Sequence, residues 1–324
     1  MLHREAYHKL RKDKIVVVCF AVIVVCAVLA VIAPLVGNPS QDYRGIDEVT
    51  KIERPYHPPT LLIALSGTAN GEPLTDEQKK AFGEGLLSAA AWRLPLGADL
   101  DGRNVLVMVI HGLQKAFLIG VITTVLAILI AVPIGAAAGY FGGLIDDAIV
   151  WFYTTLASVP HLLLLIAVLQ SVPGEWKAKL GLFIVLIVIG VTTWVGLARL
   201  IRAEFLKHKQ RDYVLAARAL GVGHGRIIFA HILPNVSHLV IITFTLGFVS
   251  SVNLEVFLSF VSIGIPPSEP TWGQMIAKGK DELSRDPSIW WPLTSATVFL
   301  FVLSLAFSIF GDALRDALDP KLRT

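Results

Sequence analysis

Apolar residues along this chain gather into six long runs set apart by shorter polar stretches, roughly 15–36, 113–139, 148–170, 180–200, 236–262 and 292–311. A bilayer core needs about 20 apolar residues of helix to cross it. Each run reaches that length, so the pattern predicts an all-α, polytopic membrane protein with six transmembrane helices. The first run carries no charge from Ile15 to Val36 and follows Arg4, Lys9, Arg11, Lys12 and Lys14. A cleaved signal peptide has a shorter apolar core and an Ala-x-Ala site after it. Neither holds here, so an uncleaved helix is expected.

The polar stretches set the expected orientation, because cytoplasmic loops are enriched in Lys and Arg. Between the fourth and fifth runs, Arg199, Arg202, Lys207, Lys209, Arg211, Arg218 and Arg226 face only Glu204 and Asp212. The segment 37–104 has seven Lys/Arg against ten Asp/Glu and reads as external. Six spans then place both termini and the basic loop in the cytoplasm. The chain divides into a terminus with its first span (1–36), an extracytoplasmic segment (37–104) and a five-span core (105–324). Gly37, Pro39, Pro55, Pro58 and Pro59 loosen the start of the external segment. Its middle, Thr75–Trp92, suits a helix capped by Thr75 with Gln78 three residues on.

Composition sharpens this picture at three points. The chain is 54% hydrophobic and 16% charged with mean hydropathy +0.66, whereas soluble domains carry about 25% charge. The net charge of +3 gives nucleic-acid binding no support. Cys19 and Cys26, both inside the first run, make neither a disulfide framework nor a metal site. Small-residue faces such as Gly135, Ala136, Ala137, Ala138 and Gly139 suit close helix packing in lipid, where apolar burial alone drives little association. No internal repeat is apparent.

The basic loop has structure of its own. Glu204 to about Leu220 is rich in Leu, Ala, Lys and Arg and predicts a helix. Gly221 and Gly223 stop it, and Pro234 marks the start of the next span, where a missing N–H costs nothing. Val214, Leu215 and Leu220 leave an apolar surface, and Ala216–Ala217 allow close backbone approach. Two readings of such a helix compete: a protein-docking patch, and an amphipathic helix on anionic headgroups held by Lys207, Lys209 and Arg211.

Ala216-Ala217, Gly221 and then Leu233-Pro234 resemble the EAA loop (201–235) of ABC importer permeases, with Leu215 at the family's glutamate position. Further stretches agree. Leu96-Gly97-Ala98-Asp99 with Gly102-Arg103-Asn104-Val105 is similar to the LGTD..GRD segment of peptide-type permeases, Ala98 and Asn104 replacing Thr and Asp. Phe257–Gly264 with Pro267 and Trp272-Gly273 is similar to the end of the family's fifth span and its outer loop. Gly311-Asp-Ala-Leu-Arg-Asp-Ala-Leu-Asp-Pro320 is similar to its C-terminus. The chain thus resembles the C-type permease of dipeptide, oligopeptide and nickel importers, from residue 94 onward.

That resemblance implies a bacterial or archaeal inner-membrane complex. Its parts are a second, B-type permease, two ATPases that bind ATP and Mg, and an external substrate-binding protein. It implies ATPase coupling through Asp212, Tyr213, Leu215, Ala216, Ala217, Arg218 and Gly221. The chain itself holds no G-x-x-x-x-G-K-[ST] sequence, so no cofactor and no catalytic residue is expected in it.

Polar residues inside the spans are candidates for the translocation path, since acidic groups in lipid face a bundle interior or an aqueous cavity. Glu255, Asn253 and His161 are the three. Glu255 suits an interhelical hydrogen bond equally well, and Asn253, two residues earlier, cannot share its helix face. Pro160 is expected to kink the third span, and His161 is read as a hydrogen-bond partner rather than a metal ligand. His224 and His231 are read as solvated or ATPase-facing, and Trp290 and Trp291 as an interfacial aromatic belt. The rival functions are a stand-alone proton-coupled carrier with Glu255 and His161 as relay groups, and a membrane anchor for a signalling complex. A carrier commonly shows paired repeats.

Overall fold

The computed structural model describes residues 11, 13–37, 47, 50, 52–53, 55–69, 71–83, 85–266, 269–285 and 288–318. The basic residues of 1–10, Lys12, Pro39, Pro267 and the closing Asp319-Pro320 lie outside them. The helices are α1 (Lys14–Ile32), α2 (Thr60–Ser66), α3 (Asp76–Ala81), α4 (Val105–Phe141), α5 (Gly143–Ala157), α6 (His161–Ser171), α7 (Gly174–Leu180), α8 (Leu182–Thr193) and α9 (Val195–His208). They continue as α10 (Asp212–Ala219), α11 (His224–Phe260), α12 (Trp272–Glu282) and α13 (Trp291–Leu318). A two-residue hairpin, Thr68–Ala69 against Glu72–Pro73, follows α2.

Five of these are long and apolar enough to cross a membrane: Lys14–Leu35, Val105–Phe141, Leu182–His208, His224–Phe260 and Trp291–Leu318. The sixth run is a pair, α5 and α6, bent by 86°. Pro160 causes the break. It disfavours the α conformation at the residue before it, and its own φ of −52° and ψ of 125° leave it outside the helix, opening α6. The expected kink is therefore a full break between two short helices. Span two also starts earlier than the apolar run suggests, because its polar residues are partnered. His111 Nε2 lies 3.0 Å from the Gly37 carbonyl, and Lys115 reaches Glu269 at 2.7 Å.

The chain forms two compact units. One holds residues 1–21, 119–254 and 306–324. Its core brings together Ala131, Tyr140, Leu197, Ile201, Phe205, Val214, Ile228 and Ile232, all buried. Glycine allows a close helix crossing here. A Cβ on Gly135 would lie 2.5 Å from the Ala198 carbonyl oxygen, and one on Gly139 would lie 2.6 Å from that of Arg202. The small face of α4 thus rests directly on the backbone of α9, the close approach that helices in lipid rely on.

The second unit holds residues 22–118 and 255–305, and its signature stretches explain themselves as a joint. Gly97 (φ 80°) and Gly102 (φ 73°) supply left-handed turns that let Ala98 pair with Asn104. Asp99 Oδ1 accepts the N–H groups of Asp101 and Arg103, and Asn104 Oδ1 that of Leu106 at the start of α4. Trp291 Nε1 donates to the Ala98 carbonyl at 2.8 Å. Trp291 is therefore buried in this joint rather than in an aromatic belt, while Trp290 stays exposed. Trp272 covers Gly112, where a Cβ would meet its ring at 2.5 Å, and its Nε1 donates to the Val109 carbonyl. Thr75 and Gln78 form the expected reciprocal cap, but their helix stops at Ala81 instead of reaching Trp92.

Two outcomes are expected. Gly139→Ala forces α4 off α9 and costs about 1–3 kcal/mol, read as a lower thermal midpoint in detergent. Burial pushes the Asp99 carboxyl above its usual range, against the pull of the Arg103 N–H. A carboxyl raised on folding opposes the fold once it ionises, so stability falls as pH rises from the ordinary aspartate value through the raised one. The midpoint of Asp99→Asn relative to the native chain should accordingly be higher at pH 7 than at pH 4.

Candidate functional site

The basic loop is two helices, not the single one expected over Glu204–Leu220. Helix α9 ends at His208, and the chain turns through Lys209–Arg211, with the Arg211 N–H bonded to the His208 carbonyl at 3.0 Å. Arg211 is extended and α10 starts at Asp212, whose carboxylate suits the positive end of the helix dipole. At the far end the Gly221 N–H bonds to the Arg218 carbonyl and the Val222 N–H to the Ala217 carbonyl. This is a Schellman closure, which needs a left-handed residue at its turn, and Gly221 has φ 77°. The spacing from Ala217 to Gly221 is thus the spacing of a helix stop.

The faces of α10 differ from the sequence expectation in one respect. Val214 is fully buried and Ala217 nearly so, both in the core of the first unit beside Ile227, Ile228 and Ile232. The exposed apolar residues are Tyr213 (39%), Leu215 (49%) and Leu220 (84%). Val214 therefore belongs to the seat of the helix, and Tyr213 takes its place on the outer surface. Asp212, Ala216 and Arg218 are also exposed. The Tyr213 hydroxyl lies 2.8 Å from His208 Nδ1.

Helix α11 starts at His224, about three turns before the expected start near Pro234. A π-helical stretch, Ile227–Ile232, comes just before the proline. Such wide turns accommodate an interrupted hydrogen-bond ladder, and Asn235 Nδ2 donates to the His231 carbonyl at 2.6 Å. Two polar pairs that no sequence expectation coupled also join this region. His224 Nδ1 lies 2.8 Å from the Tyr140 hydroxyl at the end of α4. Asp146, in the first turn of α5, makes a paired, fork-like contact with Arg202 of α9, with Nη2 to Oδ2 at 2.7 Å. No local sequence pattern couples positions 56 or 84 residues apart.

A cavity of about 1100 Å³ opens in the same unit, walled by mostly aliphatic side chains with Thr124, His161, Thr192, Thr243 and Ser250 among them. His161 Nε2 lies 3.2 Å from the Thr192 hydroxyl oxygen, and that hydroxyl donates to the Val188 carbonyl. With that proton on the carbonyl, the arrangement suits His161 donating through Nε2–H. Of the three path candidates, His161 reaches this wall. Asn253 is exposed elsewhere on α11. Glu255 belongs to the second unit and is 2% exposed, with Oε1 accepting the Ser259 hydroxyl at 2.8 Å. A Cβ on Gly273 would lie 2.8 Å from that same oxygen, so the glycine admits α12 against the carboxyl. Among the described residues no three His, Cys, Asp or Glu side chains gather as a metal site would need.

Residues 131–324 match the family described as "Binding-protein-dependent transport system inner membrane component". The oligopeptide transport system permease protein OppC of Bacillus subtilis is 35% identical over 227 residues, 70% of this chain and 72% of that protein. The peptidoglycan transport system permease protein YejE of Agrobacterium fabrum is 37% identical over 228 residues, 70% of this chain and 57% of that protein. A chain of the inward-facing MetNI methionine ABC transporter has the same fold, with TM-score 0.52 at 15% identity over 65% of this chain and 96% of that one.

A double-mutant cycle tests the ion pair that fastens α5 to α9. Asp146→Asn and Arg202→Met should each lower the thermal midpoint. The double variant should lose less than the sum, with a coupling of about 0.5–3 kcal/mol.

Proposed function

The chain belongs to the binding-protein-dependent transport system inner membrane components, and we propose that it is the C-type permease of a complex importing peptides or peptide-bearing solutes. It is an integral membrane permease of an ABC importer. The substrate class is the chemistry shared by the oligopeptide and peptidoglycan permeases it is similar to. In this reading the chain is not catalytic. ATP and Mg sit on two partner ATPases, a B-type permease completes the path, and an external binding protein delivers the solute.

The Lys/Arg bias supports a cytoplasmic basic loop and termini, with 37–104 outside. Helix α10 is then the element the ATPases grip. The observation that carries this is its two-sidedness: Val214 and Ala217 are locked in the hydrophobic core while Tyr213, Leu215 and Leu220 are exposed. A helix resting on headgroups needs no such seat. Motion imposed on the outer face is delivered to α4, α9 and α11 as one body, since packed cores shift as units rather than deform continuously. Asp212, Ala216, Arg218 and Gly221 complete the grip.

The cavity forms part of the path. Its wall has no Asp, Glu, Lys or Arg and includes Thr243 and Ser250, whose hydroxyls can hydrogen-bond an amide in passing. Asn253 takes no part in that wall. Glu255 acts instead as the polar anchor of the joint between α11 and α12.

Leu215→Glu combined with Leu220→Glu leaves the buried seat intact. Recovery of ATPases with the tagged chain in mild detergent should drop roughly tenfold or more, since 1.4 kcal/mol is a factor of ten. Undiminished ATPase recovery together with undiminished peptide uptake would sink the reading.

A further inference from the structure

The seat of α10 has a directional component that apolar burial does not supply. Tyr140, 4% exposed, lies one residue from the end of α4. The Arg218 guanidinium, in the last turn of α10, lies 5.0 Å from its ring centroid. His224, the first residue of α11, meets its hydroxyl at 2.8 Å and presents its own ring edge-on at 5.6 Å. The Schellman turn runs between Arg218 and His224. One side chain of α4 is therefore clasped from both flanks of the turn that ends the coupling helix. The preceding residue, Gly139, presses α4 onto the backbone of α9 at Arg202.

Val214 and Ala217 resist lifting of α10 off the core, but methyl contacts have little angular preference. A cation over a ring face and a hydrogen bond to a phenol both do. We propose that Tyr140 is the positioning residue that fixes the angle of α10 against α4, so that ATPase closure becomes movement of the spans rather than swivelling of the helix. The proposal rests on α10 being the ATPase-docking element. Tyr140 touches neither solute nor nucleotide in this scheme and acts through α10.

Tyr140→Phe keeps the ring, its burial and the cation–π contact while deleting the hydroxyl. His224→Leu deletes the other partner of the bond. The test uses the complete importer reconstituted in vesicles, with ATP hydrolysis and peptide import measured on the same preparation. Both variants should retain wild-type recovery of ATPases and an unchanged thermal midpoint. Solute imported per ATP hydrolysed should fall about fivefold or more, the lower range of allosteric coupling. The double variant should be no worse than either single one, because both remove the same bond.

Import per ATP unchanged in Tyr140→Phe, with the complex intact, overturns the proposal and leaves the docking role of α10 standing. Additive losses in the double variant also overturn it, since the two residues would then act separately. If the wild-type chain recovers no ATPase at all, the docking reading fails and the proposal falls with it. Where His224→Leu lowers the midpoint, the Tyr140→Phe ratio alone decides.

Discussion

In the proposed coupling, everything depends on one contact, the seating of Val214 and Ala217 in the hydrophobic core of the first unit. A short helix of eight residues has almost no stability of its own in water, because helix nucleation is costly. Helix α10 exists because two of its side chains are buried among Ile227, Ile228 and Ile232 and because Gly221 closes its last turn. The burial that makes it a helix also makes it part of the core. On the proposed docking role, a force applied to Leu215 or Leu220 would reach α9 and α11 through this shared core, and α4 is held against α9 by the close glycine contacts at Gly135 and Gly139.

The second unit is assembled by a different device. Its aromatic side chains sit on glycines and donate to carbonyls, as Trp272 does to Val109 over Gly112 and Trp291 to Ala98 beside Gly97. Indole fits this use, since it offers a large apolar face and a single donor. Glu255 belongs to the same logic. Its carboxyl is buried and partnered, as an acidic group at this depth must be. The stretches around Gly97 and Trp272 are thus packed joints.

The six apolar runs, the basic loop and the Thr75 cap could all be read from sequence, because each depends on neighbours within a few residues. So could the helix stop at Gly221. What escaped the reading depends on distant partners. Val214 and Leu215 are alike in hydropathy, and only the position of Ile227 decides which one is buried. The early start of α4 shows only once His111 and Lys115 are seen beside Gly37 and Glu269. Trp291 reads as a membrane-belt residue until Ala98 accepts its N–H. Arg202 counted as loop charge until Asp146 is beside it, and nothing near Tyr140 in sequence names His224 as its partner. The break at Pro160 was legible as a kink, but its size depends on how α6 packs against α8. The π turn before Pro234 has no sequence signal beyond the proline.

The central claim is that α10 moves with the core as one body. Electron–electron distance measurements test it most directly, on a chain carrying Ala219→Cys and Leu144→Cys, both exposed, with Cys19 and Cys26 replaced by alanine. In the assembled importer the spin-label distance should be narrow and the same with the ATPases nucleotide-free or holding a non-hydrolysable ATP analogue. A distance that changes between the two states, or a broad distribution in either, would show that α10 swivels on the core and would contradict the account.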